Sequence, residues 1–161
     1  MAWTIKPYEP THMEGVIGVT ARAWAPVFPQ MQAAVPDFVY DAFYPEGWWA
    51  RQETDVRALL IAGETRFHVA EEDGAVLGFA GTRLFPEDSM GELHIIAVDP
   101  AHQRRGIAKA LMETAFEEIR AAGMTMVMVE TGGDAGHAAS RATNEAAGFE
   151  RWPVARYFRK L

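Results

Sequence analysis

The residues with the clearest chemical potential form a short basic stretch between a predicted strand and a predicted helix. The strand ends near Val98, the helix begins near Gly106, and Gln103, Arg104 and Arg105 lie between them. The first amides of a helix have no partner within the helix, and the helix dipole favours an anion there. Because Gly106 has no side chain, an anion can approach the backbone closely. The stretch therefore predicts a loop that binds a diphosphate, with the two arginines neutralising its charge.

A simpler interpretation is an exposed helix start that happens to be basic. Basic side chains at a helix N-terminus oppose the dipole, so their presence favours the functional interpretation. The spacings GxxxxGK[ST] and GxGxxG are both absent, so the motif predicts neither a Walker loop nor a dinucleotide fingerprint.

The elements that would position this loop follow from the spacing of apolar residues. Asp73-Gly74 separates two alternating segments and predicts a hairpin, and "MGELHIIAV" adds a third strand. The helix 106–122 carries one apolar stripe, made of Ile107, Leu111, Ala115 and Ile119. Further on, "MTMVMVET" predicts a strand, "HAASRATNEAA" a short helix and "WPVARYFRK" a final strand.

The predicted order of elements is β-α-α-β-β-β-α-β-α-β, with prolines interrupting the aromatic stretch between Pro26 and Pro45. The helix 106–122 would join two parallel strands by a right-handed crossover. Ligands of such sheets favour the carboxyl ends of the parallel strands, which is where the basic loop lies.

Composition narrows the classes of function. The chain has 161 residues, a net charge of −7 and no cysteine. The absence of cysteine excludes a disulfide framework, a thiolate metal site and a cysteine nucleophile. The acidic balance argues against a nucleic-acid partner. No metal-ligand spacing is found among His12, His68 and His102, so no metal is expected. With neither a signal pattern nor a long apolar run, we expect a cytoplasmic protein that does not bind membranes.

The segment Gln103–Ala108 resembles the Q/R-x-x-G-x-G/A signature of the GNAT superfamily of N-acetyltransferases. The flanking "LHIIAVDPAHQ" and "AKALMETAFEEI" are similar to the family's pattern, as is "HAASRATNEAAGFE", which ends in Gly148-Phe149. The resemblance implies a mixed α/β fold in a single domain, residues 1–161. Its central, mostly antiparallel twisted sheet would have six to seven strands, with four helices, and would splay between the fourth and fifth strands.

The resemblance also implies acetyl-CoA as cosubstrate. Its pantetheine arm would pair with the backbone at Ile96, Ala97 and Val98. His137 stands where the family often has an asparagine near the pantetheine, although a polar residue at a helix start is an equally good explanation. The diphosphate would lie on the backbone of seven successive residues, namely Gln103, Arg104, Arg105, Gly106, Ile107, Ala108 and Lys109.

Three residues are candidates for catalysis. Glu92 lies where some family members keep a catalytic glutamate, and strand alternation predicts that Glu92, His94 and Ile96 share one face. Glu92 and His94 could hold a water chain that removes the amine's proton, but an ion-paired carboxylate and a core histidine are the simpler alternatives. Asn144 departs from the tyrosine that the family commonly has there. Asparagine can donate a hydrogen bond but cannot give up a proton.

The aromatic segment 24–49 could form core, a dimer face or a pocket for the acceptor amine. In the family the first helices often cover the acceptor, so the substrate-binding candidates are Trp24, Phe28, Tyr40 and Trp48. Asp37, Asp41 and Glu46 are interleaved with them, which favours a cationic amine with apolar bulk.

We therefore expect an N-acetyltransferase that transfers acetyl from acetyl-CoA to the primary amine of a small molecule, by direct attack in a ternary complex. No cysteine is available, and neither serine lies in G-x-S-x-G, so an acyl-enzyme is disfavoured. The alternatives are acetylation of protein N-termini or lysines, and a non-catalytic module that binds acyl-CoA. A homodimer is left open.

Overall fold

The computed structural model describes residues 2–161. Five strands form one sheet: β1 (Thr4–Pro7), β2 (Arg66–Glu72), β3 (Ala75–Phe85), β4 (Met90–Val98) and β5 (Met126–Met128). Six α-helices accompany them: α1 (Met13–Trp24), α2 (Val27–Ala34), α3 (Asp37–Phe43), α4 (Trp48–Ala62), α5 (Ile107–Ala121) and α6 (Ala138–Ala146). Within residues 2–161, no helix is both long enough and apolar enough to cross a bilayer.

The sheet has the strand order β1-β2-β3-β4-β5 and is antiparallel up to β4. The predicted hairpin turn is confirmed, because Asp73 and Gly74 both have positive φ values, 51° and 81°, as the tight turns between twisted strands require. The last pair, β4 and β5, is parallel, and α5 is the crossover between them. The mixed α/β class and the predicted crossover are therefore both present.

Helices cover the two faces of the sheet. One face packs against α1 and α4 in a cluster that includes Val16, Val56 and Phe79. The other face packs against α5, where the predicted apolar stripe is confirmed: its four residues are at most 3% exposed. Gly91 allows this close approach, since a Cβ there would lie 2.5 Å from Ile119.

A bulge in β4 changes which side chains face which layer. Thr82 pairs with Leu93 and Gly81 pairs with Ile95, so His94 is an extra residue on β4. Beyond the bulge, Ile95 packs with the α1 and α4 cluster, whereas Ile96 packs with the α5 cluster. The prediction that Ile96 shares a face with Glu92 and His94 is therefore wrong, because the bulge interrupts simple alternation.

The fourth and fifth strands separate early. Their ladder joins Met90–Glu92 to Met126–Met128 and then ends, so within the described chain the remainder of β4 keeps β3 as its one strand neighbour. Because β4 and β5 are parallel, the segments that leave their carboxyl ends start at the same edge of the sheet. These segments are 99–106 and 129–137.

The expected numbers of strands and helices were wrong. The final strand does not form: residues 151–161 are exposed and have no regular structure, and Pro153 lacks an amide that could donate to β5. β5 is only three residues long, and Met126 is 53% exposed rather than part of the core. The two unpredicted helices, α2 and α3, tolerate prolines because Pro29 lies in a first turn and Pro36 is an N-cap.

Candidate active site

The loop between β4 and α5 is tied to the sheet by Asp99. The amide of Asp99 donates to the carbonyl of Leu77 on β3 at 2.8 Å. Its carboxylate accepts from the amide of Ala101 at 3.0 Å and from Nε of Arg22 on α1 at 2.7 Å. Burial opposes ionisation of this carboxyl, but the two donors outweigh burial and hold the pKa of Asp99 below its ordinary value. Asp99 thus links the loop, the sheet and α1.

Beyond this anchor, the loop presents a continuous run of backbone amides. From Gln103 to Lys109, no amide has a hydrogen-bond acceptor among residues 2–161. The first amide of α5 that is paired is that of Ala110, which donates to the carbonyl of Gly106 at 3.1 Å. Arg104 and Gly106 have φ values of 62° and 81°. Left-handed residues in such a turn make a concave group of amides that suits an anion.

The two arginines of this loop have different surroundings. Arg105 donates to both carboxylate oxygens of Glu72 at 2.8 and 3.2 Å, and its Nη1 lies 2.9 Å from Nδ1 of His102. Arg104 is exposed and has no hydrogen bond or ion pair to another of residues 2–161. The side chain of Arg105 is therefore already bound to a carboxylate, whereas that of Arg104 has no such partner among residues 2–161.

Glu92 and His94 lie side by side on β4. Nδ1 of His94 is 3.1 Å from Oε1 of Glu92. The side chain of His94 is 27% exposed and that of Glu92 is 14% exposed. Residues two apart on a strand share a face, and the bulge after Leu93 keeps Ile95 on that side as well. The pair is thus a contiguous polar path that is partly open to solvent, beside the part of β4 that β5 leaves uncovered.

Asn144 lies on α6 and is 7% exposed. Its backbone carbonyl accepts a hydrogen bond from the backbone amide of Phe149 at 3.1 Å. His137 lies in the 3-10 turn before α6, with Nδ1 bonded to Asp134 at 2.7 Å. Burial works against ionisation of Asp134, but this hydrogen bond prevails and keeps the pKa of Asp134 low. His137 therefore has a defined partner, which leaves Nε2 as its other polar atom.

The aromatic candidates divide between two places. Phe28 stacks on Trp48 at 4.7 Å and contacts Tyr44 edge-on at 5.4 Å, and Tyr40 lies 4.8 Å from Tyr44. These candidates thus form one cluster, and its Phe28 and Tyr40 are buried. Trp24 instead packs against the cluster of α1 and α4.

The guanidinium of Arg51 already packs against part of this aromatic surface. The guanidinium carbon of Arg51 lies 5.3 Å from the centre of the Phe43 ring and 5.6 Å from that of Tyr44. The interleaved acids Asp37, Asp41 and Glu46 are exposed. A cationic acceptor would therefore meet these carboxylates more readily than the faces of Phe43 and Tyr44.

One cavity is separate from the loop. A cavity of about 500 Å³ lies at the C-terminal end of α5 and is lined by Phe116, Met126 and Phe149; none of the predicted site residues lines it.

Within residues 2–161, no group of three or more histidine, aspartate or glutamate side chains is arranged to hold a metal ion.

Three residues that hold the loop, Asp99, Arg22 and Glu72, were not predicted from the sequence. Asp99 carried a signal, because aspartate followed by Pro100 is typical of the cap of a helical turn. Arg22 and Glu72 lie 77 and 33 residues from their partners. No local pattern could have identified them.

The sequence also matches a known family. The model of the acetyltransferase (GNAT) family matches residues 30–149. The chain belongs to the GNAT acetyltransferase family. This match covers the aromatic segment from residue 30 onward, the sheet from β2 to β5, and α6. It also covers the loop between β4 and α5, residues 99–106, which we call the amide loop.

Relatives of this GNAT chain include mycothiol acetyltransferases. The one from Kocuria rhizophila is 34% identical over 105 residues, which is 62% of this chain and 32% of that protein. The one from Streptomyces avermitilis is 29% identical over 134 residues, or 82% of this chain and 43% of that protein. The chain thus spans less than half the length of these relatives.

Solved structures show the same GNAT fold. An aminoglycoside N-acetyltransferase, AAC(6')-Iy, in complex with CoA, has a TM-score of 0.65 and 20% identity, over 98% of this chain and 94% of that one. The PaiA N-acetyltransferase from Thermoplasma acidophilum, in complex with coenzyme A, has a TM-score of 0.69 and 14% identity, over 96% and 94%. At these identities the likeness concerns the fold.

Proposed function

We propose that this GNAT chain transfers an acetyl group from acetyl-CoA to the primary amine of a small molecule. The observation that carries the proposal is the run of unpaired amides from Gln103 to Lys109, at the edge where β4 and β5 end. Those amides, together with Arg104, would hold the diphosphate of the coenzyme. Bound acetyl-CoA supplies an activated thioester at the splayed part of the sheet.

The uncovered part of β4 would receive the pantetheine arm. Residues 93–98 have no partner strand on the side of β5, and an amide-bearing chain can pair with such an edge. Ile96, Ala97 and Val98 would supply these backbone contacts, and the amide of Val98 would donate to the thioester oxygen. His137 lies at the end of the segment that follows β5, and it would contact the pantetheine arm from the side opposite to β4.

Glu92 and His94 would take the proton that the amine must lose. A primary alkylamine is mostly protonated at neutral pH, since its pKa is about 10. The contact between the two side chains gives a path along which water can carry that proton to solvent. The free amine then attacks the thioester carbon. As the carbon–sulfur bond breaks, the nitrogen loses a second proton to water, and this proton balances the one that the departing thiolate takes from water. No residue of this chain forms a covalent intermediate.

Departure of the thiolate would be assisted by Asn144. Asn144 is a largely buried residue, and its side-chain amide can donate a hydrogen bond but not a proton, which leaves the thiolate to be protonated by solvent. A thiolate is a workable leaving group without an acid, because the thiol pKa is about 8.5.

The acceptor would bind against α2, α3 and the start of α4. The aromatic cluster supplies an apolar wall, and the exposed carboxylates Asp37, Asp41 and Glu46 supply negative charge. This combination supports a cationic amine with apolar bulk. The named relatives are acetyltransferases of mycothiol and of aminoglycosides, which is compatible with a small-molecule acceptor.

A second candidate function follows from Asn144. If the hydrogen bond from Asn144 does not assist the departing thiolate enough, the chain would bind acyl-CoA without transferring the acyl group. Transfer and binding are distinguished by measuring free thiol released from acetyl-CoA with a panel of primary amines, alongside calorimetry with CoA. Release that depends on one class of amine supports the transferase. Binding without release for every amine supports the binding module, and the absence of any CoA binding overturns both.

A further inference from the structure

The side chain of Arg105 joins the amide loop to the end of β2, and no other polar contact within residues 2–161 joins these two segments. It donates to Oε1 and Oε2 of Glu72, at the end of β2, in a two-pronged ion pair. Arginine has only donors, so the contact with His102 requires Nδ1 of that ring to be the acceptor and Nε2 to carry the proton. The side chains of Arg105 and Glu72 are 36% and 21% exposed, so the pair is partly shielded from water.

This ion pair holds the outer part of the amide loop. Asp99 fixes the start of the loop, and Ile107 is buried where α5 begins. Between them, the side chains of Gln103 and Arg104 have no polar partner among residues 2–161. The position of residues 103–106 relative to the sheet therefore depends on Arg105 and Glu72.

We propose that Glu72 and Arg105 are positioning residues that preorganise the amide loop for the coenzyme's diphosphate. The inference rests on the proposed function, and it assigns to Arg105 a role through Glu72 instead of direct contact with phosphate. Glu72 neutralises the guanidinium, and in turn Arg105 holds the pKa of Glu72 below its ordinary value. A loop held in one conformation loses less conformational freedom when it binds an anion, so affinity rises without any new contact.

The two possible roles of Arg105 predict opposite effects when Glu72 loses its charge. If Arg105 bound the phosphate directly, Glu72 would compete with the ligand, and Glu72→Gln would strengthen the binding of CoA. If Glu72 instead positions the loop through Arg105, Glu72→Gln weakens it. Arg105→Lys keeps the charge but cannot make the two-pronged contact, so in the second case it weakens binding in the same direction as Glu72→Gln.

The experiment is calorimetry with CoA and with pantetheine, which lacks the diphosphate. We expect Glu72→Gln and Arg105→Lys each to raise the Kd for CoA about tenfold, equivalent to ~1.4 kcal/mol. The double variant should resemble either single variant, because both remove the same contact. The Kd for pantetheine and the KM for an acceptor amine should change less than twofold, which a general loss of structure would not allow.

Glu71→Gln is the matched control. Glu71 precedes Glu72 on β2 and is also ion-paired, with Lys6 at 2.7 Å, but it lies at the pairing with β1 and does not contact the loop. Its substitution should leave the Kd for CoA unchanged.

The outcomes separate this inference from the proposed function. If the unmodified protein binds CoA and Glu72→Gln binds it equally well or more tightly, the positioning role is overturned and the transferase proposal stands. Equal weakening by Glu71→Gln would also overturn it. If the unmodified protein does not bind CoA, the proposed function fails and this inference fails with it.

Discussion

Glu92 and His94 are close because strand alternation places residues two apart on one side, and His94 is itself the extra residue of the bulge that follows Leu93. In the proposed function, their hydrogen bond and partial exposure would provide a route for a proton between the splayed strands and solvent. If Glu92 accepts the proton first, its effect on the rate depends on the fraction of the amine that is protonated when it binds.

Replacing Glu92 tests the route. We expect Glu92→Gln to lower kcat/KM about 10²-fold at acidic pH, where the amine is almost fully protonated, and to have less effect at alkaline pH. The measurement is a pH–rate profile with the best amine from the panel. Glu87→Gln, in the exposed turn before β4, is the control. A profile for Glu92→Gln that keeps the shape and height of the unmodified enzyme's profile would remove Glu92 from the mechanism.

Asp99 makes the site's anchoring dependent on pH. Because its pKa is lowered in the folded state, ionised Asp99 stabilises the fold at pH values above its unfolded value, about 3.9, and this stabilisation is lost as the pH falls through the folded value.

Asp99→Asn tests this contribution. At pH 7 we expect the free energy of unfolding to fall by about 1–2 kcal/mol and Tm by about 2–8 °C, because a charge-assisted hydrogen bond to Arg22 is weakened. As the pH falls below about 4, the difference should shrink, and it should disappear below the folded pKa of Asp99. Asp55→Asn, which changes an exposed carboxylate, is the comparison in thermal unfolding at each pH. A constant difference between pH 7 and pH 3 would contradict the assignment.

At the scale of elements, α5 must approach β4 closely for the amide loop to lie at the sheet edge. Gly91 permits that approach, since any Cβ would collide with Ile119. The same packing places the start of α5 directly after the loop, so the contact at one end of the helix supports the site at the other.

Gly91→Ala should therefore destabilise the protein. Overpacking of this kind costs about 1–3 kcal/mol, which we expect to appear as a lower Tm in a thermal melt. Gly133→Ala is the control, because a Cβ at Gly133 meets nothing within 4 Å. If both variants melt at the temperature of the unmodified protein, the contact between Gly91 and Ile119 does not limit the helix position.

At the scale of the whole molecule, charge and order are both unevenly distributed. Residues 1–100 hold 6 basic and 15 acidic side chains, a net of −9, whereas residues 101–161 hold 9 and 7, a net of +2. Part of the positive charge lies in residues 151–161, where Trp152 is 83% and Tyr157 is 90% exposed. This segment contributes little to the packed structure.

Limited digestion with trypsin should therefore cut residues 151–161 first. Arg151 and Arg156 lie in exposed chain without regular structure, which a protease can bind in extended form. Arg57 is the internal comparison, because it lies within α4 and is bonded to Glu14 and Glu53. Mass spectrometry of early fragments makes the test. Initial cleavage after Arg57 would show that the segment is more protected than the structure indicates.

Much of the architecture was determined locally by the sequence. The turn at Asp73-Gly74, the extent of β4, the stripe of α5 and the amide loop each depend on neighbouring residues, so period and turn chemistry were sufficient to predict them. The family resemblance supplied the remaining expectations about the site.

The tertiary structure decided what depends on partners distant in sequence. It placed Glu72 against Arg105 and Arg22 against Asp99, and it inserted the bulge that turns Ile96 away from His94. It also left residues 151–161 unpaired despite their strand-like pattern. The physical reason is the same in each case. The propensity of a residue for helix or strand is local. The partner of its side chain, and the presence of a strand edge with which its backbone can pair, are determined only when the whole chain has folded.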